Sequence, residues 1–345
     1  MCGLVFLRAP HLSTQAREHL VAQSIARLRH RGPDASGVFS GSDFTLGHTR
    51  LAIVALDGGH QPLRDPTGRW TLAFNGEIYN YRALRRWLEP NWRFRDASDT
   101  EVLLAGLVLH GLEFVPRLDG MWAFVLHDAL TGAVLLSRDR FGKKPLFYRQ
   151  ADSFLACASE IPALREVVGD EVWQEDSSGV SDYFRYGYTM PGATCIEGVR
   201  EVLPAHWALI DESGQFNTSR YWWPSTEPWR GSFSEAAVEV RERLRAAVAS
   251  RQLSADVEVG AFLSGGVDST AVCALAEHSG YGQLSTFTAG FAEPTYDERA
   301  PAALAASMLG TRHASAQLSP SEAIEFAASL GTRLGQPFGD ASIVP

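Results

Sequence analysis

Two domains of unlike construction are predicted: an α+β body of packed sheets flanked by helices up to about residue 164, and an α/β body with a parallel sheet from about residue 232 onward. Three observations predict them. Before residue 164, many strand-length apolar stretches are interrupted by few helical ones, without regular strand-helix alternation. After Gly231, strands and helices alternate. The 345 residues, 45% hydrophobic and 21% charged, suffice for two cores.

Residues 2–7 read as a short buried strand. Leu20, Val21, Ile25 and Leu28 recur at helical spacing on one face of a helix that ends near Arg29. The segment His30-Arg31-Gly32-Pro33-Asp34 then breaks the helix, since Gly and Pro punctuate regular structure. Strands are expected at 44–54, 70–75, 121–127, 133–138 and 154–158, and helices near 79–88 and 100–110. Ser98-Asp99-Thr100-Glu101 reads as a capping box, with the Asp99 charge favourable in the first helical turn. Over residues 165–231 the pattern loosens, with Pro191, Pro204, Pro224 and Pro228 and the pair Trp222-Trp223, and the stretch is expected to connect the domains while packing on the first. Ser232 and Glu235 form a second capping box ahead of a helix with Val240, Leu244 and Val248 on one face. Strands at 257–263, 284–291 and 313–318 then alternate with helices from about Asp268, Asp297 and Ser321.

A net charge of -9 gives no electrostatic reason to bind nucleic acid or an anionic membrane. No run reaches the length of a membrane span or the core of a signal peptide. Cys2, Cys157, Cys195 and Cys273 make no C-x-x-C pair and no zinc-ligand spacing with histidines, which fits a reduced, cytoplasmic setting. Lys143 and Lys144 are the only lysines.

Two stretches carry chemistry. Removal of Met1 ahead of the small Cys2 side chain would put a thiol and an α-amine on one carbon. With a pKa of roughly 7.7 to 8, about 10 to 20% of that amine is neutral at pH 7 and can take the thiol proton. Taken alone, Cys2 reads as a small buried residue of the first strand. The second stretch, Ser264-Gly265-Gly266-Val267-Asp268-Ser269-Thr270, sits where a strand turns into a helix. Glycines let backbone amides approach a phosphate there, and the helix N-terminus adds partial positive charge. The loop has neither a Walker A arrangement nor a dinucleotide fingerprint, so it is a phosphate loop of another kind or a tight turn without ligand.

The order of motifs resembles the glutamine-dependent asparagine synthetases and their relatives. Cys2-Gly3, the segment from His30 to Asp34, His48-Thr49-Arg50-Leu51-Ala52-Ile53-Val54, Asn75-Gly76-Glu77-Ile78-Tyr79-Asn80, Ser98 to Glu101 and Arg138-Asp139-Arg140-Phe141-Gly142 are similar to a class II glutamine amidotransferase domain. Ser264 to Thr270 and Tyr296-Asp297-Glu298 resemble the ATP pyrophosphatase domain of those synthetases. The resemblance implies an N-terminal nucleophile αββα sandwich over residues 2–164 and an incomplete nucleotide-binding domain over 232–345. It implies that Cys2 attacks the glutamine side-chain amide, that Asn75 and the Gly76 amide form the oxyanion hole, and that Arg50 holds the α-carboxylate. Asp99, assisted by Glu77, would hold the α-ammonium, and a strand after Arg50 would run beside the substrate. Leu263, Ser264, Gly265, Gly266, Asp268, Ser269 and Ala289 would surround ATP, with Mg²⁺ on the phosphates. The implied reaction is adenylation of a carboxylate, that of aspartate, followed by displacement of AMP by ammonia, in an assembly that the resemblance allows to be a homodimer.

The family's later S-G-x-G-x-D-E segment and its catalytic lysine have no counterpart here, so a truncated chain, a fragment or part of a split enzyme is expected. Another carboxylate acceptor is the alternative within the class. β-Lactam synthetases share the architecture but typically lack the N-terminal cysteine. A module that binds glutamine or nucleotide without turnover is the alternative outside it.

Overall fold

The computed structural model describes residues 1–151, 154–169, 173–278 and 282–344. Contacts divide the chain into one unit of Met1–Pro224 with Leu330–Gly339, and a second of Ser225–Ser329 with Asp340–Pro345.

The first unit opens with β1 (Gly3–Arg8), α1 (Thr14–Arg27), β2 (Ala35–Ser40), β3 (Phe44–Arg50), β4 (Leu63–Arg64) and β5 (Trp70–Ile78). Next come α2 (Tyr81–Leu88), α3 (Asp99–His110), β6 (Gly120–Asp128), β7 (Val134–Arg138), β8 (Phe147–Ala151) and β9 (Phe154–Ala158). It continues through α4 (Ile161–Val168), α5 (Ser177–Tyr186), β10 (Val199–Glu201), β11 (His206–Ile210) and β12 (Phe216–Arg220). The strands make two six-stranded antiparallel sheets, ordered β10-β8-β9-β1-β3-β2 and β12-β11-β7-β6-β5-β4. Alternation along each strand then sets three cores. Leu4 and Phe6 of β1, Leu46 of β3, and Ala73, Ala123 and Val125 of β5 and β6 meet between the sheets. Val5 and Leu7 pack under α1 and α4. Leu72, Phe74 and Ile78 pack under α2 and α3. The result is a helix-sheet-sheet-helix sandwich. Residues 165–231 supply strands to both sheets, β10 to the first and β11 with β12 to the second.

Several expected elements have other bounds. The apolar stretch after Phe44 leaves the sheet at Arg50, so residues 51–54 are a loop and not the strand expected beside the substrate. Ala55 there has φ 51°, a turn conformation that no strand continues through. The box at Ser98 is half formed. The Ser98 hydroxyl accepts from the Glu101 N–H at 3.1 Å, but the Ser98 N–H donates to Asp96. Glu101 instead accepts from the Arg95 and Asp96 amides, fixing the loop ahead of the helix.

The second unit holds α6 (Phe233–Ser254), β13 (Ala261–Phe262), α7 (Val267–Glu277), β14 (Ser285–Phe291), α8 (Arg299–Leu309), β15 (Arg312–Leu318) and most of α9 (Pro320–Leu334). Its sheet is parallel, in the order β13-β14-β15. The capping box at Ser232 and Glu235 is complete. The face of α6 expected to be buried is open at Val240 and Leu244. Only Val248, nearer its end, packs on a small core that includes Leu263, Cys273, Leu284 and Ala302. No helix among the described residues is long and apolar enough to cross a membrane.

Candidate active site

Pairing of β1 with β3 sets Gly3 opposite Thr49 and Leu4 opposite His48. Extended by one residue, that register sets Cys2 opposite Arg50, at the end of the inter-sheet core. Across the core, Asn75 and Glu77 project from the same face of β5 as Ala73. His48 ties the two sheets together there: its Nε2 donates to the Phe74 carbonyl at 3.0 Å, and the Gln61 side chain accepts from the Phe74 N–H at 2.6 Å. Burial holds the His48 pKa down to about 4, so it is a neutral structural donor.

A cavity of about 100 Å³ opens at this place, and Cys2, Arg50, Asn75, Gly76, Glu77 and Asp99 all line it. The Cys2 Sγ lies 3.8 Å from the Leu51 carbonyl oxygen. Burial pushes the thiol pKa up, so a base must remove its proton. Arg31 fixes the Cys2 backbone, donating Nε–H to its carbonyl at 2.9 Å while pairing with Glu160 at 2.7 Å. The loop 51–54 is held by Asp34, whose carboxylate accepts from the Ala52 N–H at 2.8 Å.

Asn75 is wholly buried, and both polar atoms of its side-chain amide lack a partner among the described residues. Leaving such groups unpaired costs about 1–3 kcal/mol each, and here they are free to pair with a group in the cavity. At Gly76 a Cβ would overlap the Met121 carbonyl oxygen and come within 2.8 Å of the Trp122 Cα, so only glycine lets the strand pass. Arg50, also buried, donates to the carbonyls of Val54 at 3.0 Å, Ala55 at 2.7 Å and Leu56 at 3.4 Å. It makes no ion pair with a carboxylate among the described residues. Asp99, in the first turn of α3, accepts from the Ile78 N–H at 3.0 Å. Burial, opposed by that hydrogen bond and reinforced by nearby Glu77, raises its pKa to about 7. The cavity thus offers a nucleophile, an unsatisfied amide, a cation for a carboxylate and a carboxylate for a cation.

Lys144, Gln61, Thr100 and Met121 line the same cavity and were not singled out from sequence as site residues. For Lys144 a signal existed, since the chain has only two lysines.

In the second unit, Ser264 to Ser269 lie between the end of β13 and the first turn of α7, with Leu263 and Ala289 at the carboxyl ends of neighbouring strands. Gly265 has φ 79°, and a Cβ there would lie 2.6 Å from the Pro301 carbonyl carbon. The Ser264 and Ser269 hydroxyls are 2.9 Å apart, and the Gly266 N–H donates to the Ser264 Oγ at 3.3 Å. Among the described residues, no side chain caps α7 and the buried Thr270 hydroxyl lacks a partner. These are features of a loop that can accept an anion.

A profile of the glutamine amidotransferase domain matches residues 1–222, and one of asparagine synthase matches residues 239–345. The glutamine-hydrolyzing asparagine synthetase 1 of Bacillus subtilis is 31% identical over 348 residues, covering 100% of this chain and 54% of its own length. Asparagine synthetase 3 of the same organism, also glutamine-hydrolyzing, is 36% identical over 274 residues, covering 77% and 44%. The amidase chry2 of Gibberella zeae is 33% identical over 295 residues, covering 81% and 43%. The chain spans about half the length of the curated relatives it matches.

Proposed function

The chain belongs to the glutamine amidotransferase domain family, and from that premise we propose that Cys2, freed by removal of Met1, releases ammonia from glutamine. The thiol gives its proton to its own α-amine, sulfur bonds to the side-chain amide carbon, and the ammonium so formed protonates the departing ammonia. A γ-glutamyl thioester remains, and water opens it to glutamate. Asn75 and the Gly76 amide take the oxyanion. Arg50 exchanges its carbonyl partners for the α-carboxylate, a stronger charge-assisted acceptor, and Asp99 with Glu77 takes the α-ammonium. The observation that carries this reading is the unpaired amide of Asn75 in a cavity shared with Cys2, Arg50 and Asp99.

The match to asparagine synthase supports a second half-reaction, in which ATP adenylates a carboxylate with loss of pyrophosphate and ammonia then displaces AMP. Ser264, Gly265, Gly266 and Ser269 would receive the phosphates, and Leu263 and Ala289 the adenosine. The donor chemistry fits Mg²⁺ carried by the nucleotide, because the Asp268 carboxylate stands in the first turn of α7 to supplement phosphate oxygens. We take aspartate as the acceptor, a homodimer as the assembly and the cytoplasm as the place of action. The amidase among the relatives keeps another carboxylate as the second reading.

A chloroketone analogue of glutamine tests the first half-reaction. We expect one adduct, on Cys2 in the Met1-processed chain, prevented by excess glutamine. In Arg50→Ala the same labelling should require at least about tenfold more analogue, since a hydrogen bond to a charged group contributes about 1.5–3 kcal/mol. Labelling that glutamine does not prevent, or that Arg50→Ala leaves unchanged, would remove these residues from a glutamine site.

A further inference from the structure

Lys143 and Lys144 are adjacent, yet only Lys144 is buried. The loop between β7 and β8 is tied down to put it there. The buried Asp139 carboxylate accepts from the N–H groups of Phe141, Lys143 and Lys144 at 3.0 Å each, and from that of Trp122 at 3.2 Å. Arg138 closes the loop from the other side, donating to the carbonyls of Lys144 at 2.9 Å, Gly142 at 2.7 Å and Val202 at 2.9 Å. What this scaffold presents is the Lys144 side chain, which is 5% exposed and lines the cavity that holds Met1 and Cys2. Its ammonium makes no hydrogen bond or ion pair among the described residues. The side chain is thus packed along its length while its ammonium reaches the cavity, where a charge without a protein partner acts on the groups that share it, Cys2 among them.

We propose that Lys144 is a positioning residue for the proton of Cys2: its ammonium stabilises the thiolate and keeps the α-amine neutral, so that the amine can take the thiol proton. The inference rests on the reading of Cys2 as the glutaminase nucleophile. In the step it assists, the S–H bond breaks and an N–H bond forms on the same residue, with no other reactant. With Met1 still in place, burial raises the Cys2 thiol, and burial lowers the Met1 amine with the Lys144 charge assisting, so the Lys144 charge already reaches an amine one residue from the one that Met1 removal would free. Other charges face this point from every side. Arg31 and Asp34 approach from the turn after α1, Arg50 from β3, Glu77 from β5 and Asp99 from α3, while Asp139 lies on the loop of Lys144 itself. The cations among them act in the same sense as Lys144 and the carboxylates against it, so the test must isolate one charge.

The test is the pH profile of iodoacetamide alkylation of Cys2 in the processed chain, read from the mass of the N-terminal peptide, for wild type, Lys144→Met and Lys144→Arg. Lys144→Met should move the profile to higher pH and slow alkylation at pH 7 about tenfold, as expected for loss of a nearby opposite charge. Lys144→Arg should keep the wild-type profile. The thermal midpoint of Lys144→Met should stay level or rise, because the ammonium makes no bond among the described residues and methionine keeps the packing of the stem. If Lys144→Met does not fold, Lys144→Gln carries the same comparison. A neutral variant whose profile overlays wild type, or Arg and Met variants shifted alike with lowered midpoints, overturns the proposal. Alkylation needs no glutamine, so absent glutaminase turnover in wild type would count against the amidotransferase reading alone.

Discussion

Asn75→Ala is expected to lower kcat for glutamine hydrolysis by about 10² to 10³ while KM stays within a few fold, the effect of removing one oxyanion donor. The donor is useful only when charge develops on the amide oxygen, so the loss falls on the transition state and not on the bound ground state. The same substitution should not lower the thermal midpoint. Wild type leaves both polar atoms of a fully buried amide unpaired, and removing them offsets the packing lost. A structural asparagine would show the reverse pattern, with lower stability and nearly intact kcat. Steady-state glutaminase kinetics beside thermal unfolding separate the two outcomes.

Asp99→Asn is expected to make the protein more stable and a poorer glutamine binder. The Asp99 pKa lies near 7 in the folded chain against 3.8 ordinarily, with burial the main cause. For a carboxyl raised on folding, the stability present below the unfolded pKa is lost as pH rises through the folded one. Wild type should therefore lose stability between about pH 4 and pH 7, by at most on the order of 4 kcal/mol. Asn keeps an oxygen to accept from the Ile78 N–H but carries no charge, so the variant should be the more stable protein at pH 8 and no more stable at pH 4. Its KM for glutamine should rise about 10- to 100-fold through loss of a charge-assisted contact. In wild type KM should climb as pH falls below about 7, where Asp99 takes up a proton, and in the variant that climb should flatten. Unfolding measured across pH 4 to 8 and KM across pH 5 to 8 check both signs. A variant less stable at pH 8, or one with unchanged KM, contradicts the assignment.

What could be read from sequence followed from how each feature is encoded. Strands of the inter-sheet core are written in apolar residues, so β1, β5, β6, β7 and β9 were visible. The edge strand β2, with the sequence ASGVFS, and β8, with FYRQA next to the short edge strand β10, lie half in solvent and carry little such pattern. The apolar loop after Arg50 misled in the other direction. Leu51, Ile53 and Val54 are apolar because they line the cavity, while the Arg50 guanidinium takes the carbonyls of residues 54–56 and bends the chain away from the sheet. The meeting of Cys2, Arg50, Asn75, Glu77 and Asp99 was expected only through the resemblance, since pairing register is not written in any one strand. Lys144 escaped because nothing local separates it from Lys143, and only the hydrogen bonds of Arg138 and Asp139 decide which of the two turns inward. In the second unit, the helix pattern at Val240 and Leu244 was real, but the three-strand core reaches only the end of α6.

The most direct test of the account is glutamate release from glutamine by the chain with Met1 removal confirmed by intact mass. The expected result is turnover in wild type, none above background in Cys2→Ala, and retained glutamine binding by the variant in calorimetry. Turnover that survives in Cys2→Ala, or a processed wild-type chain that binds glutamine and releases no glutamate, would contradict the assignment of Cys2 as the nucleophile.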